Sequence, residues 1–200
     1  MKGLVAAEPF TLVVRNSRFL AELLTADTHE AARALLGAQR AKYADASHVV
    51  HAMVIGPSGG ILGCSDDGEP AGTAGRPVLE VLKGSGITNV LLTVTRWFGG
   101  TKLGTGGLVK AYGDAAKGVL ATVATREIVT MAHLSFTLPY SLLEPGRRLL
   151  REYSFAIRQE NYTSAGDSLQ GELPSGRADE VIRRLADLSR GQISVERIVE

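Results

Sequence analysis

The stretch TNVLLTVTRWFGGTKLGTGGLVKAYGDA, residues 88–115, joins a continuous apolar run to a glycine-rich loop and a long helical segment. An uninterrupted apolar run of strand length is typical of a strand covered on both faces, so NVLLTVT is predicted to lie centrally in a sheet. Five glycines fall among the thirteen residues from Arg96 to Leu108. The sequence therefore predicts a domain that is built around this strand and exposes bare backbone where the helix begins.

Upstream of this stretch, hydrophobic patterning predicts four strands and two helices. The strands are FTLVVRN, SRFLAEL, HVVHAMVIG and ILGCS. Asp27, with Glu30 three residues later, is expected to cap a helix that runs to about Lys42, and Thr73 is expected to cap the second helix. Downstream of residue 115, the long helix is predicted to continue to about Ala124.

The last third of the chain has a different organisation. Strand and helix patterns alternate in the order βαββαβ within about 70 residues, which is typical of a ferredoxin-like domain. A boundary near Ile128 is expected, with one domain in residues 1–128 and a second in residues 129–200. The predicted class is a two-domain α+β protein.

Composition excludes some broad classes of protein. The chain has 22 basic and 21 acidic residues, so its net charge of +1 produces no global field for nucleic acid or membrane. The single cysteine, Cys64, cannot form an internal disulfide, which favours a reducing compartment. No segment has the pattern of a signal peptide or a membrane span, so a cytoplasmic location is expected.

Two long motifs carry a resemblance to a known family. SDDGEPAGTAGRP (65–77) and residues 88–115 together resemble the paired signature of the YigZ/Impact family, and His48 in SHVVHA falls at that family's histidine position. Ala71, Arg76 and Lys110 stand where the family commonly has serine, lysine and arginine. Because two motifs occur at the expected separation, the resemblance is far more specific than one glycine pattern.

The resemblance implies both a fold and a setting. It implies an N-terminal domain similar to the second domain of a small-subunit ribosomal protein, and a ferredoxin-like C-terminal domain similar to the last domain of elongation factor G. The eukaryotic relatives regulate translation initiation during amino-acid starvation. The family thus implies contact with RNA, the ribosome or a translation factor, by analogy of fold.

The glycine-rich helix start is the leading candidate site. Gly104, Gly106 and Gly107 would let a ligand approach helix amides that lack internal partners, and the helix dipole favours an anion there. The same glycines would also allow close packing of helix against strand, so two interpretations remain open. The basic residues expected around a bound phosphate or RNA are Arg76, Arg96, Lys102 and Lys110.

Two aromatic residues precede the glycine loop. Trp97 and Phe98 are expected to face opposite ways, because side chains alternate along a strand. They therefore cannot both stack on one ligand. A place in the core is favoured over ligand stacking for both.

The acidic loop suggests a second kind of chemistry. Asp66, Asp67 and Glu69 lie close enough in sequence to hold a magnesium ion. Asp67 followed by glycine is also a turn signal, and these carboxylates could instead pair with Arg96 or Lys102. His48 and His51 are predicted on opposite faces of a strand, which argues against a shared zinc ion. No metal, cofactor or catalytic residue is predicted.

Three hypotheses for function follow. The preferred one is a non-enzymatic cytoplasmic binding protein that contacts RNA, the ribosome or a translation factor through the signature residues, among them His48, Thr73 and Trp97. The alternative is a phosphate-ester or phosphoryl-transfer enzyme that uses the glycine-rich helix start with Asp66, Asp67 and Glu69. A third hypothesis is a protein-interaction module, which would expose an apolar patch, for example on the ferredoxin-like sheet.

Overall fold

The computed structural model describes residues 1–198. The chain divides after Ile128 into two compact units, here called the N-terminal and C-terminal domains. Each domain combines helices with antiparallel strands, so the predicted α+β class is confirmed. No helix within residues 1–198 is both long enough and apolar enough to cross a bilayer.

The N-terminal domain contains two sheets and three helices, all within the described residues. Its strands are β1 (Lys2–Ala6), β2 (Phe10–Val14), β3 (Ser17–Thr25), β4 (His48–Ile55), β5 (Ile61–Ser65), β6 (Ile87–Thr88), β7 (Val90–Trp97) and β8 (Ala124–Glu127). Its helices are α1 (His29–Lys42), α2 (Gly75–Gly84) and α3 (Gly104–Leu120).

Strand β7 lies at the centre of the larger sheet, as its apolar run predicts. The strand order is β2-β3-β7-β4-β5, and every neighbouring pair is antiparallel. Alternate side chains of β7 enter two different cores because the side-chain period of a strand is two. Val90, Leu92 and Val94 pack with residues of α2 and α3, whereas Leu91 packs with residues of α1.

The smaller sheet of the N-terminal domain consists of three short strands, β1, β6 and β8, that the sequence does not predict. Its order is β6-β1-β8, with β1 parallel to β6 and antiparallel to β8. Strands β1 and β8 are mostly exposed and therefore lack the hydrophobic alternation that identifies a strand. Helix α3 ends at Leu120, before the predicted end, which leaves the residues beyond it free to form β8.

Two predicted helix caps are wrong. Thr28, and not Asp27, caps α1, and its hydroxyl accepts a hydrogen bond of 3.1 Å from the Ala31 amide. The Thr73 side chain does not cap α2 but donates to the Pro70 carbonyl at 2.7 Å. Both segments contain more than one residue able to cap a helix, and the local backbone decides which oxygen reaches the free amides.

The C-terminal domain has the predicted βαββαβ order. Its elements are β9 (Met131–Leu138), α4 (Leu143–Glu152), β10 (Ala156–Thr163), β11 (Gly166–Pro174), α5 (Ser175–Ser189) and β12 (Val195–Ile198). Within the described residues, the sheet order β10-β11-β9-β12 is antiparallel throughout, which is the ferredoxin-like arrangement.

One face of this second sheet packs beneath its helices. Leu134, Phe136 and Leu138 of β9 are buried together with residues of α4 and α5. The alternate residues Ser135 and Thr137 turn to the other face and are partly exposed. That face is therefore polar at Ser135 and Thr137, although Met131 at the start of β9 is exposed on it, whereas the interaction-module hypothesis expects an apolar patch.

Candidate anion-binding site

The site begins with one row of residues across the larger sheet. Arg96 of β7 lies opposite Phe19 of β3 on one side and opposite His48 of β4 on the other. Arg96 follows Leu92 and Val94 at intervals of two residues, so it extends toward α3, where those two side chains are buried. The charged and aromatic side chains of this row lie at the edge of the apolar core.

Arg96 is buried and paired with a carboxylate from the acidic loop. Its Nη1 donates to Glu69 Oε1 at 2.6 Å, and its Nη2 donates to Ser17 Oγ at 3.3 Å. Arg96 is only 5% exposed and Glu69 only 8%. Removing one partner of such a buried pair typically costs about 3–5 kcal/mol, because the other charge stays buried without compensation. This pair therefore ties the two signature motifs together.

Helix α3 adds a third member to the pair. The hydroxyl of Tyr112, which is fully buried, donates to the same Glu69 Oε1 at 2.7 Å. Burial, and then the hydrogen bond to the Glu69 carboxylate, raise the pKa of Tyr112 well above its usual value. The hydroxyl keeps its proton at neutral pH and remains a donor to Glu69.

His48 and Asp67 hold the acidic loop against β4. His48 Nδ1 lies 2.7 Å from the Asp67 carbonyl oxygen, which can only accept, so Nδ1 carries the hydrogen. Asp67 Oδ2 accepts from the Val49 amide at 2.8 Å, and Asp67 also forms an ion pair with Arg40. Asp67 has a left-handed φ of 47°, as its turn signal predicts.

Asp66 caps helix α2 from a distance. Its carboxylate accepts from the amides of Gly72, Ala74 and Gly75 at 2.8, 3.0 and 2.8 Å. Burial opposes ionisation of Asp66, but these three backbone hydrogen bonds outweigh it and lower the pKa of the carboxyl. Asp66 thus takes the capping role that the sequence assigns to Thr73.

The three acidic side chains turn to three different sets of partners. Asp66 binds the start of α2, Asp67 binds β4 and α1, and Glu69 binds Arg96 and Tyr112. Residues 1–198 contain no group of three or more histidine, cysteine or acidic side chains arranged to hold a metal ion. Of the interpretations open for this loop, the geometry matches a turn combined with pairing to Arg96.

An open cleft of about 430 Å³ lies beside the Glu69–Arg96 pair. Gly104 and Thr105 begin helix α3, and no side chain within the described residues caps that helix. Both are exposed, so helix amides without internal partners lie at the edge of the cleft. The residues that line it are Glu69, Pro70, Arg96, Phe98, Lys102, Leu103, Gly104, Thr105 and Leu108.

The predicted basic residues fall in different places. Lys102 is exposed and lines the cleft, whereas Arg96 is buried beneath it. Lys110 pairs with Asp114 at 2.7 Å and lines a neighbouring groove. Arg76 is exposed in the first turn of α2 and lines neither depression. The four do not share one exposed face, because Arg96 is not exposed.

The glycines of the motif separate into two groups. A Cβ at Gly99 would lie 2.0 Å from the backbone carbon of Asn16, so this glycine is required for packing against the β2–β3 turn. A Cβ at Gly104 or Gly106 would meet no atom within 4 Å, although Gly104 has a left-handed φ of 73°. A Cβ at Gly107 would lie 3.1 Å from a side-chain carbon of the preceding turn. Packing therefore accounts for Gly99 and leaves Gly106 unexplained.

Trp97 and Phe98 face opposite ways, as expected, but the preference for a core position is wrong for Phe98. Phe98 is 49% exposed and lines the cleft. Trp97 is half-buried on the other face, where its Nε1 donates to Asp45 at 2.9 Å and Arg18 lies 3.8 Å from its ring centre. Of the two, Phe98 alone is placed to contact a ligand in the cleft.

Several residues of the site were not found from the sequence. Tyr112 lies four residues after Leu108 on one face of α3, and this helical spacing is the signal that could have placed both beside the sheet. Pro70 and Leu103 carry no such signal. His51, in contrast, lies on the opposite face of β4 from the site, and burial lowers its pKa.

These observations define a two-domain protein whose N-terminal domain has an open cleft at the start of helix α3, lined by Lys102. Residues 15–120 match the Impact N-terminal domain, and residues 136–192 match a domain of unknown function, DUF1949. The chain therefore belongs to the Impact family, and the resemblance noted in its two motifs is confirmed.

Relatives cover nearly the whole chain. The IMPACT family member YigZ of Escherichia coli K12 is 38% identical over 98% of both chains. An IMPACT family member of Thermus thermophilus is 35% identical over 92% of this chain and 99% of its own. A crystal structure of a hypothetical protein is similar with a TM-score of 0.68 and 36% identity, over 100% of this chain and 97% of the other.

Proposed function

We propose that the protein is a non-enzymatic RNA-binding protein that acts in translation, and that its cleft at the start of α3 holds an RNA phosphate. The observation that carries this proposal is the exposed, uncapped helix start at Gly104 and Thr105, with Lys102 on the same cleft. Free amides and the helix dipole both favour an anion at such a position.

Local charge supports an anionic ligand although the whole chain is nearly neutral. Glu69 and Arg96 compensate each other, so Lys102 gives the cleft an excess positive charge. Arg15, Lys110 and Asp114 lie around the neighbouring groove, which shares Leu103 with the cleft; because Asp114 compensates Lys110, Arg15 gives this groove its excess positive charge. A nucleic-acid backbone could follow this short basic path without requiring a basic protein.

Membership of the Impact family supports the connection with translation. The resemblance to eukaryotic members that regulate translation initiation rests on both signature motifs of this chain. A ribosomal RNA or an RNA bound to a translation factor would present the phosphate groups that the cleft favours. A cytoplasmic location is part of this proposal.

The experiment is RNA binding measured by fluorescence anisotropy at several salt concentrations. The probe is a labelled oligouridylate of about 10 nucleotides, and the variants are Lys102→Ala and, as a control, Lys117→Ala. Lys117 is an exposed lysine near the other end of α3. We expect Lys102→Ala to weaken binding about five-fold and to reduce the salt slope by about 0.7, the value for one phosphate contact on a single strand. Equal effects of the two substitutions would refute a site at the helix start.

One observation favours a phosphoryl-transfer enzyme as a second candidate. Glu69 lines the cleft together with Lys102 and Gly104, as that hypothesis requires, whereas Asp66 and Asp67 do not line it. A single carboxylate that is already paired within the protein is a weak basis for catalysis. Release of phosphate from a phosphate ester by the wild-type protein, abolished by Lys102→Ala, would favour the enzyme over the binding protein.

A further inference from the structure

The cleft contains a carboxylate oxygen that the protein itself does not use. Both hydrogen bonds to the Glu69 side chain, from Arg96 and Tyr112, fall on Oε1. His48 Nε2 is also nearest to Oε1, at 3.8 Å. Within residues 1–198, no hydrogen bond falls on Oε2, and this oxygen is not fully buried, so it stays open to solvent where Glu69 lines the cleft. A ligand that donates a hydrogen bond would satisfy this oxygen.

The opposite requirement applies at the helix start in the same cleft. Lys102 and the exposed amides near Gly104 and Thr105 provide donors and positive charge, so they favour an acceptor with negative charge. The ligand must therefore carry an anion and a separate hydrogen-bond donor on one small framework. Inorganic phosphate matches Glu69 poorly, because its hydroxyl and its negatively charged oxygens are on the same phosphorus atom. A phosphate hydroxyl that donated to the Glu69 carboxylate would bring a second negative charge close to it.

The remaining lining of the cleft is apolar. Phe98 is 49% exposed, and Pro70, Leu103 and Leu108 complete the apolar lining. The volume of about 430 Å³ is far more than a phosphate group would fill and lies within the range of small-molecule sites. An exposed aromatic ring in a basic cleft is suited to stacking a planar base.

We infer that the cleft binds one ribonucleotide unit: its phosphate at the start of α3 and Lys102, its base against Phe98, and a ribose hydroxyl donating to Glu69 Oε2. This inference rests on the proposed function, since it specifies the RNA at the same site. The bound nucleotide must be unpaired, because a base within a duplex is not available for stacking on a side chain. The 2′-hydroxyl would distinguish RNA from DNA, as it does in other RNA-binding proteins.

The first test compares probes on the unchanged full-length protein. Fluorescence anisotropy is measured with labelled single-stranded oligouridylate, the matching oligodeoxyuridylate and a duplex RNA, with inorganic phosphate as a competitor. We expect the single-stranded RNA to bind about ten-fold more tightly than the deoxy strand, because a hydrogen bond to a charged group is lost. We also expect the duplex to bind more weakly, and inorganic phosphate to compete poorly.

The outcomes separate this inference from the function on which it rests. Equal affinity for RNA and DNA strands would overturn the ribonucleotide inference and leave nucleic-acid binding standing. Equally tight binding of the duplex would overturn the stacked, unpaired base. Failure of every nucleic-acid probe to bind would remove both the inference and the proposed function.

A substitution that spares the buried pair provides the second test. Phe98→Ala should weaken binding of the RNA strand at least about five-fold, since stacking is lost, and should leave competition by inorganic phosphate unchanged. Val109→Ala, at an exposed apolar residue of α3 that does not line the cleft, is the matched control. Wild-type RNA affinity in Phe98→Ala would overturn the stacking arrangement. Glu69→Gln would break a buried ion pair and destabilise the domain, so it would not separate a lost ligand contact from unfolding.

Discussion

Gly106→Ala tests whether the glycines at the start of α3 serve the fold or a ligand. An alanine Cβ at Gly106 would meet no atom within 4 Å, and its backbone does not have the left-handed φ that requires glycine. Packing within the N-terminal domain therefore does not require glycine at this position. If the residue serves a ligand, its replacement should leave folding intact and harm binding.

The expected change in stability follows from the helix alone. Glycine in a helix costs about 0.5–1 kcal/mol relative to alanine, chiefly because the unfolded glycine has more conformational freedom. Since the added methyl group makes no clash, Gly106→Ala should raise the free energy of unfolding by about that amount. The same methyl group lies among the first amides of α3, so RNA affinity should fall, by about five-fold if one phosphate contact is disturbed.

The assay uses the only tryptophan of the chain. Trp97 lies in β7, so its fluorescence during urea denaturation reports unfolding of the N-terminal domain. Gly113→Ala is the matched control, because Gly113 lies later in α3 and a Cβ there also meets nothing within 4 Å. Both variants should be stabilised, and only Gly106→Ala should lose RNA affinity in the anisotropy assay.

Two results would contradict this reasoning. A loss of stability in Gly106→Ala, with Gly113→Ala stabilised, would show that the fold needs the glycine after all. A gain of stability with unchanged RNA affinity would show that Gly106 serves neither packing nor the proposed ligand. Gly99→Ala shows the result expected for a glycine that the fold requires. The added Cβ would collide with the backbone of Asn16, so this substitution should destabilise the domain severely.

Three further predictions concern the groups around the site, all measured by urea denaturation. Glu69→Gln should lower the free energy of unfolding by about 3–5 kcal/mol, because Arg96 would stay buried without its counter-charge; a loss below about 1 kcal/mol would contradict this. Asp66→Asn should cost about 1–2 kcal/mol at neutral pH through weaker capping of α2. Because the folded pKa of Asp66 is lowered below 3.8, its contribution is present above that pH and is lost as pH falls further, so the variant should lose less stability in acid than the wild type does. Burial lowers the folded pKa of His51 from 6.5, so below pH 6.5 the unfolded ring takes up a proton before the folded ring does, and the free energy of unfolding of the wild type should decrease. The free energy of unfolding of His51→Gln should decrease less over the same pH range. Equal pH dependence in the two proteins would contradict the burial of a neutral ring.

The centre of the fold could be predicted because local composition determines it. The run NVLLTVT carries no charged side chain and its residues are mostly aliphatic or β-branched, which is typical of a strand covered on both sides, and β7 is so covered. The βαββαβ order of the C-terminal domain follows from clear alternation of element types. Strands β1 and β8 could not be predicted in this way, because their side chains show no hydrophobic alternation. These segments are strands because their backbones pair with each other, and the two lie far apart in the sequence.

The site could be predicted only in part, because its chemistry depends on register. Lys102 and the glycines are visible as a local motif, and the structure brings Lys102 and Gly104 to one cleft. Arg96 follows an apolar run and has the sequence features of an exposed basic residue. Its burial depends on Glu69, 27 residues earlier, and on the alignment of β7 with β3 and β4, neither of which a local pattern contains.

The distribution of roles within the two motifs explains how one short region can serve both fold and binding. Asp66 and Asp67 accept hydrogen bonds from backbone amides and hold the acidic loop in place. Gly99 packs directly against the backbone of Asn16 and holds the glycine loop in place. Glu69 uses one oxygen for the same purpose and keeps the other available to the cleft. A rigid frame of this kind lowers the cost of ordering the site when a ligand binds, since the charged groups are already oriented. Variation at the framing residues should therefore alter stability first, whereas variation at Lys102 should alter binding with little change in stability.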